Sequence, residues 1–146
     1  MPQNPPPHAD SADELESAFY EALRTGDLEK LMACWADEDE IVCVHPGGGR
    51  LVGPRLIRAS FEALFANGTI MAWPEQVHRL EMLGGCMHNL IERLDVLTPD
   101  GPAQALVIAT NVYQRTAQGW RMVAHHATPG GLSEAGQSGG AATVLH

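Results

Sequence analysis

The stretch GWRMVAHHATP, residues 119–129, decides how this chain is read. It follows LVIATNVYQR (106–115) and the tight turn TAQG (116–119), and the residues after it are rich in Gly, Ser and Ala. Two apolar runs joined by so short a turn read as a terminal β-hairpin, here the floor of the fold and the wall of its cavity. Side chains alternate across a strand. Arg121, Val123, His125 and Ala127 therefore share one face, and Trp120, Met122, Ala124 and His126 the other. On the strand before, Val107, Ala109, Asn111 and Tyr113 share a face.

Working outward, residues 69–82 and 86–97 have the same strand character, with Gly84-Gly85 and Pro99-Asp100-Gly101-Pro102 as turns. The first half of the chain reads differently. Ser11 and Glu14 form a capping box, each side chain serving the other's backbone N–H. The helix they open carries Leu15, Ala18, Phe19, Ala22 and Leu23 on one face, and Gly26 ends it. Asp27 caps a short second helix with the stripe Leu28, Leu31, Met32 and Trp35. Ile41–Val44 is a short strand, and His45-Pro46-Gly47-Gly48-Gly49 a loop. Pro54 starts a third helix at the position where its missing N–H costs nothing. The order is α+β: three helices with one short strand between them, then a four-stranded antiparallel meander. Three helices cover one face of such a sheet, which wraps around them. The other face keeps Ile108 and Val112, and an uncovered apolar face calls for a partner, most simply a second copy.

Bulk properties set the bounds. A chain of 146 residues, 45% apolar and 18% charged, is the size of one domain with a real core. It divides into a Pro-rich arm (1–11), the domain (12–129) and a low-complexity tail (130–146). The net charge of −9 sits entirely in residues 1–40, which hold 11 acidic and 2 basic side chains. With no basic patch to meet phosphates, nucleic acid is excluded as a partner. No apolar run reaches the roughly 18–20 residues that span a bilayer, and the first residues lack the basic head and apolar stretch of a leader. A cytoplasmic location is the expectation. Cys34, Cys43 and Cys86 are odd in number and lack CxxC spacing, and so read as small buried hydrophobes.

Three segments resemble the nuclear-transport-factor-2-like superfamily, and within it the SnoaL-like and ketosteroid-isomerase-like bacterial proteins. They are FYEALRTGDLEKLMACWADED (19–39), VGPRLIRASFEALF (52–65) and NVYQRTAQGWRMVAHHATP (111–129). The likeness runs over about residues 12–129. It implies a cystatin-like cone, with three N-terminal helices packed on a strongly curved, mostly antiparallel sheet, a pocket inside, and a homodimer formed through the sheet. It also implies that Trp120 packs away from the cavity, which puts His125 inside it. The fold hosts many chemistries, so function rests on the site.

On that placement Asn111, Tyr113 and His125 form a polar cluster on an apolar wall shared with Val123, the composition of a small-molecule site. His125 is the candidate general acid or base; the competing reading is a core histidine bonded to Tyr113 or a backbone carbonyl. Glu92, mid-strand in NLIERLDV, is the candidate acid, unless it faces solvent or an ion pair at the dimer seam. Tyr113 completes the catalytic candidates. Tyr20, Trp35, His45 and Trp73 are further pocket candidates, the two tryptophans being equally readable as core. His45, His125 and Glu92 would make an N/N/O metal set, but without recognised spacing, and the expectation is no metal and no cofactor. The ketosteroid-isomerase arrangement needs a carboxylate base and a Tyr–acid pair facing an oxyanion. Glu40 or Asp39 can be the base and Tyr20 a donor, yet residues 103–128 contain no Asp or Glu for the second acid. The expected ligand is a small, largely apolar molecule of unknown identity, with acid–base chemistry of the isomerase, cyclase or hydrolase type. The alternative is a non-catalytic dimerisation or ligand-carrier module.

Overall fold

Helix α1 (Ala12–Thr25) starts where Ser11 Oγ accepts from the Glu14 N–H at 3.1 Å. The Glu14 carboxylate reaches one residue further back than expected, to the Asp10 N–H at 3.0 Å. Gly26, at φ 67°, ends the helix in the left-handed conformation that glycine adopts without a Cβ penalty. Asp27 then caps α2 (Leu28–Ala33) through the Lys30 N–H. These features come from a computed structural model, which describes residues 9–130. The first eight residues of the expected arm and positions 131–146 of the expected tail lie outside them. Ala9, also assigned to the arm, is docked: it is buried, and its carbonyl accepts from the Trp120 N–H at 3.1 Å.

The strands are β1 (Val42–Val44), β2 (Arg50–Val52), β3 (Ala72–Met82), β4 (Gly85–Thr98), β5 (Gly101–Thr116) and β6 (Gly119–Pro129), with α3 (Pro54–Phe65) between β2 and β3. They form one sheet in the order β2-β1-β6-β5-β4-β3. Every pairing is antiparallel except β1 with β6, which sets Cys43 beside His125. Strand β2 is an addition to the sequence reading. The HPGGG loop is the turn of a hairpin that returns β2 onto β1.

The three helices lie on the inner face. Leu15, Phe19 and Leu23 of α1, Leu31 of α2, and Ile57 and Phe61 of α3 are buried there against Leu90, Val107, Ala109 and Met122 of the sheet. Two irregularities bend the strands. One lies between Glu75 and His78 of β3, where Gln76 takes φ 51°. The other is on β6. Val112 stands opposite Ala124 and Tyr113 opposite Met122, so Val123 is an extra residue, a β-bulge.

That bulge corrects the reading of the last strand. Directly opposed residues project to the same side of a sheet. Arg115 faces Trp120, Tyr113 faces Met122, and Asn111 faces His125. Trp120 and Met122 therefore share the inner side with His125 and Ala127, and Trp120 does not pack away from it. Val123, expected on the pocket wall, instead lines a groove of about 530 Å³ on the outer side with Val112, Ile41, Glu38 and the β3–β4 turn. A bulge changes the period of one strand without any proline or glycine to mark it, so alternation counted from either end fails across it.

Candidate functional site

The inner side of the sheet is apolar apart from a band of polar residues under α1. Strand parity places Cys86, His88, Leu90 and Glu92 of β4 on that side, with Val107, Ala109, Asn111 and Tyr113 of β5. Helix α1 presents Glu16, Phe19, Tyr20 and Leu23 to it, a spacing that lies on one helical face. Three of these polar side chains form a continuous chain with His125. The Tyr20 hydroxyl donates to Glu92 Oε2 at 2.7 Å, and Asn111 Nδ2 donates to the Tyr20 oxygen at 3.0 Å. Asn111 Oδ1 lies 2.5 Å from His125 Nδ1. His125 Nε2 lies 3.9 Å from Glu92 Oε2, which brings the two ends of the chain together. Tyr20 and Asn111 have no exposed surface, and His125 and Glu92 are 5% and 6% exposed.

Burial sets the charge state of this chain. Desolvation raises the Glu92 carboxyl to about 7, partly offset by the Tyr20 hydrogen bond, which favours the carboxylate. Desolvation lowers His125 to about 3, with His45 and His126 pushing it the same way, so its imidazole is neutral at ordinary pH. Tyr20 is held well above its usual value, chiefly by burial and then by the Glu92 charge, and remains a proton donor. A carboxyl that exchanges its proton near neutrality, beside a neutral imidazole and a fixed hydroxyl, has the equipment for general acid–base chemistry.

The other sequence candidates fall elsewhere. Tyr113, expected beside His125, donates its hydroxyl to Glu16 Oε2 at 2.6 Å, while His88 Nδ1 meets the same oxygen at 2.8 Å. His88 Nε2 lies 3.8 Å from Asp13, which Arg79 holds at 2.8 Å. This second polar group binds α1 to β4 and β5. His45, half-buried, meets Ser60 Oγ at 2.9 Å and packs edge-on to Phe61; burial lowers its pKa. Trp35, almost fully buried, borders a groove with Met32, Pro54, Arg55 and Arg58. Trp73 stands opposite Arg93 on edge strand β3, with the Arg24 guanidinium 3.9 Å above its ring. Asp39 and Glu40 are exposed, and the Tyr20 hydroxyl is committed to Glu92, so the isomerase-type base and oxyanion pair do not assemble. His45, His125 and Glu92 do not converge as metal ligands. Among the described residues the donor atoms that gather within 4.8 Å belong to Asp13, Glu16 and His88. The three cysteines are buried and free, and burial pushes Cys34 and Cys43 up to about 12, away from nucleophilic use.

Residues 13–129 match the family model of the SnoaL-like domain. The chain belongs to the SnoaL-like domain family. Among solved structures this SnoaL-like domain is similar to a protein from Thiobacillus denitrificans described as a calcium/calmodulin-dependent protein kinase type II association domain. The two are 34% identical over 84% of this chain and 98% of the other, with a TM-score of 0.76. It is also similar to a Streptomyces avermitilis protein of the NTF2-like family described as a dehydratase, at 31% identity over 79% and 90% of the two chains and a TM-score of 0.70. A Caulobacter vibrioides protein with a cystatin-like fold, 18% identical, matches in fold over 88% and 94% with a TM-score of 0.73. No curated protein matches the sequence. The fold is thus the cystatin-like, NTF2-like one. No helix among the described residues is long and apolar enough to cross a membrane.

Two polar residues of the SnoaL-like domain were missed in the sequence. Glu16 sits one position off the apolar stripe, although its i, i+4 relation to Tyr20 carried the signal. His88 has the same strand parity as Glu92, so an inward Glu92 entails an inward His88.

The two titrating groups have opposite linkage. Glu92 binds its proton more tightly in the folded chain, so its contribution to stability is full below about pH 4.5 and is lost as pH rises to about 7. His125 is protonated first in the unfolded chain, so its contribution is full above about pH 6.5 and is lost as pH falls towards about 3. Glu92→Gln removes only the first. Relative to the parent, the variant should gain about 3 kcal/mol between pH 4.5 and 7 and then level off. Urea denaturation at a series of pH values measures this, and a difference that stays constant with pH would contradict the assignment.

Proposed function

We propose that this SnoaL-like domain binds a small, largely apolar molecule inside the cone and moves a proton on it, with Glu92 as the group that takes and returns the proton. The observation that carries the reading is the buried carboxyl of Glu92, held by the Tyr20 hydroxyl and raised to about 7. Near neutrality such a group is present in both forms, as a base that accepts a proton and as an acid that returns it. Neutral His125 is the second proton-handling group and Tyr20 the fixed donor. The setting is apolar: the Phe19 ring lies 5.4 Å from the His125 ring, and Phe61 packs on both Phe19 and His45. Tyr113, with its hydroxyl on Glu16, supports the wall and takes no part in the transfer. The dehydratase description of the Streptomyces avermitilis relative supports this class of chemistry, because loss of water needs a base for one proton and an acid for the leaving hydroxyl.

A second reading is favoured by a specific observation, the association-domain description of the 34% identical relative. In it the outer face of the sheet, with Ile91, Ile108, Val112 and Ala124, meets a second copy of the chain, and the fold serves assembly or ligand carriage without turnover. The two readings are compatible in one molecule and separable by experiment.

Mass spectrometry of the protein purified under native conditions identifies a retained small molecule, which then serves as substrate in a turnover assay. Glu92→Gln should lower turnover by about 10²–10⁴-fold, the usual reach of one general acid–base group, while binding changes little. Undiminished turnover in this variant ends the proton-transfer reading. Separately, Val112→Asp should convert a dimer to a monomer in sedimentation velocity at micromolar concentration. A parent chain that already sediments as a monomer contradicts association through the sheet.

A further inference from the structure

The order of hydrogens along the Tyr20–Asn111–His125 chain follows from its Glu92 end. A tyrosine hydroxyl has one hydrogen, and the acceptor at 2.7 Å is a carboxylate oxygen, the strongest one available to it. The Tyr20 oxygen is left as an acceptor, and Asn111 Nδ2 fills that role at 3.0 Å. An amide whose NH₂ group faces Tyr20 turns its carbonyl oxygen the other way, to His125 Nδ1 at 2.5 Å. A carbonyl oxygen only accepts, so Nδ1 carries hydrogen. A neutral imidazole has one N–H, so Nε2 holds a lone pair. That nitrogen points towards Glu92 Oε2, 3.9 Å away, and His125 is almost fully buried.

We propose that Asn111 is a positioning residue that holds His125 in its Nδ1–H tautomer and so presents a bare Nε2 to Glu92. In water the opposite tautomer, with hydrogen on Nε2, is the favoured one. The protein reverses that preference with a single amide. When Glu92 carries its proton, the lone pair facing it across 3.9 Å is that of Nε2, and the neutral imidazole leaves the proton on the carboxyl, from which a bound molecule can take it. When Glu92 is ionised, its oxygen and Nε2 are two acceptors turned towards each other. With hydrogen on Nε2 instead, His125 would donate to Glu92 and hold it in the carboxylate form. The inference rests on the proton-transfer reading for this consequence, but the tautomer itself is measurable without any ligand.

The test is a long-range ¹H–¹⁵N correlation spectrum of the full chain labelled in its histidine rings, with the His125 signals identified by their loss in His125→Gln. The expected pattern is a pyrrole-type Nδ1 and a pyridine-type Nε2. Asn111→Leu, which keeps the size and removes the acceptor, should move the hydrogen to Nε2. Asn111→Asp, which restores an acceptor at Nδ1, should move it back. A parent spectrum with hydrogen on Nε2, or averaged between the two nitrogens, overturns the proposal. So does a folded Asn111→Leu chain that retains the Nδ1–H pattern. If Asn111→Leu does not fold, the parent spectrum alone decides. A correct tautomer with turnover unaffected by Glu92→Gln leaves the positioning role standing and removes the catalytic reading, so the two failures are distinguishable.

Discussion

A carboxyl group 6% exposed in an apolar interior has to be met by a hydrogen-bond donor or be held neutral. For Glu92 the donor is Tyr20, on another element and 72 residues away in the chain. The bond ties α1 to β4, and through Asn111 and His125 it extends to β5 and β6. One turn earlier on the same helix face, Glu16 repeats the device with Tyr113 and His88. Helix α1 is therefore seated on the sheet by two buried acids of opposite provenance, one supplied by the helix and one by the sheet. Phe19, and Leu23 one turn beyond, fill the apolar contact of the same helix. Removing one partner of a buried hydrogen-bonded pair costs about 1–3 kcal/mol for the group left behind, so the same bonds that shape the site fix the helix over it.

The electrostatics follow from that packing. The interior that makes Glu92 reluctant to ionise also keeps His125 from charging, because both charged forms lose their water. A carboxyl raised to about 7 and an imidazole lowered to about 3 have exchanged their ordinary order. The ion pair that such neighbours form at a surface is disfavoured here, and the proton stays on the carboxyl until about neutrality. Separating the pKa values of adjacent groups in this way is how a site divides acid and base roles.

Much of this was readable in the chain. The caps at Ser11 and Asp27, the stop at Gly26 and the four long strands rest on local chemistry, and local chemistry is what sequence records. His125 was placed inside by the family resemblance, on the premise that Trp120 packs away from the cavity; the bulge puts both on the inner side, so the placement stands and its premise does not. The facing of Glu92 was left open between the cavity and solvent, and the pairing with β5 puts it inward. The failures were non-local. Val123, Met122 and Trp120 were assigned to the wrong sides because a bulge shifts β6 by one residue relative to β5, and only the partner strand reveals the shift. Tyr113 has the expected face but a different partner, since its hydroxyl reaches Glu16 from an element 97 residues away. Trp35 and Trp73 were weighed as pocket walls, and each lies against neighbours that no periodicity names: the start of α3 for one, Arg24 for the other. Membership of the SnoaL-like family fixes the cone and leaves the chemistry to these particular side chains, which is why relatives with such different descriptions share it.

The chemistry of this interior turns on Glu92, a buried carboxyl poised near neutrality. The most direct measurement is a ¹³C NMR titration of the glutamate side-chain carboxyl carbons, with Glu92 assigned from its absence in Glu92→Gln. One carboxyl should titrate near pH 7, and its signal should be the one removed by the substitution. A Glu92 signal that titrates between about pH 4 and 5, like an ordinary glutamate, would contradict it.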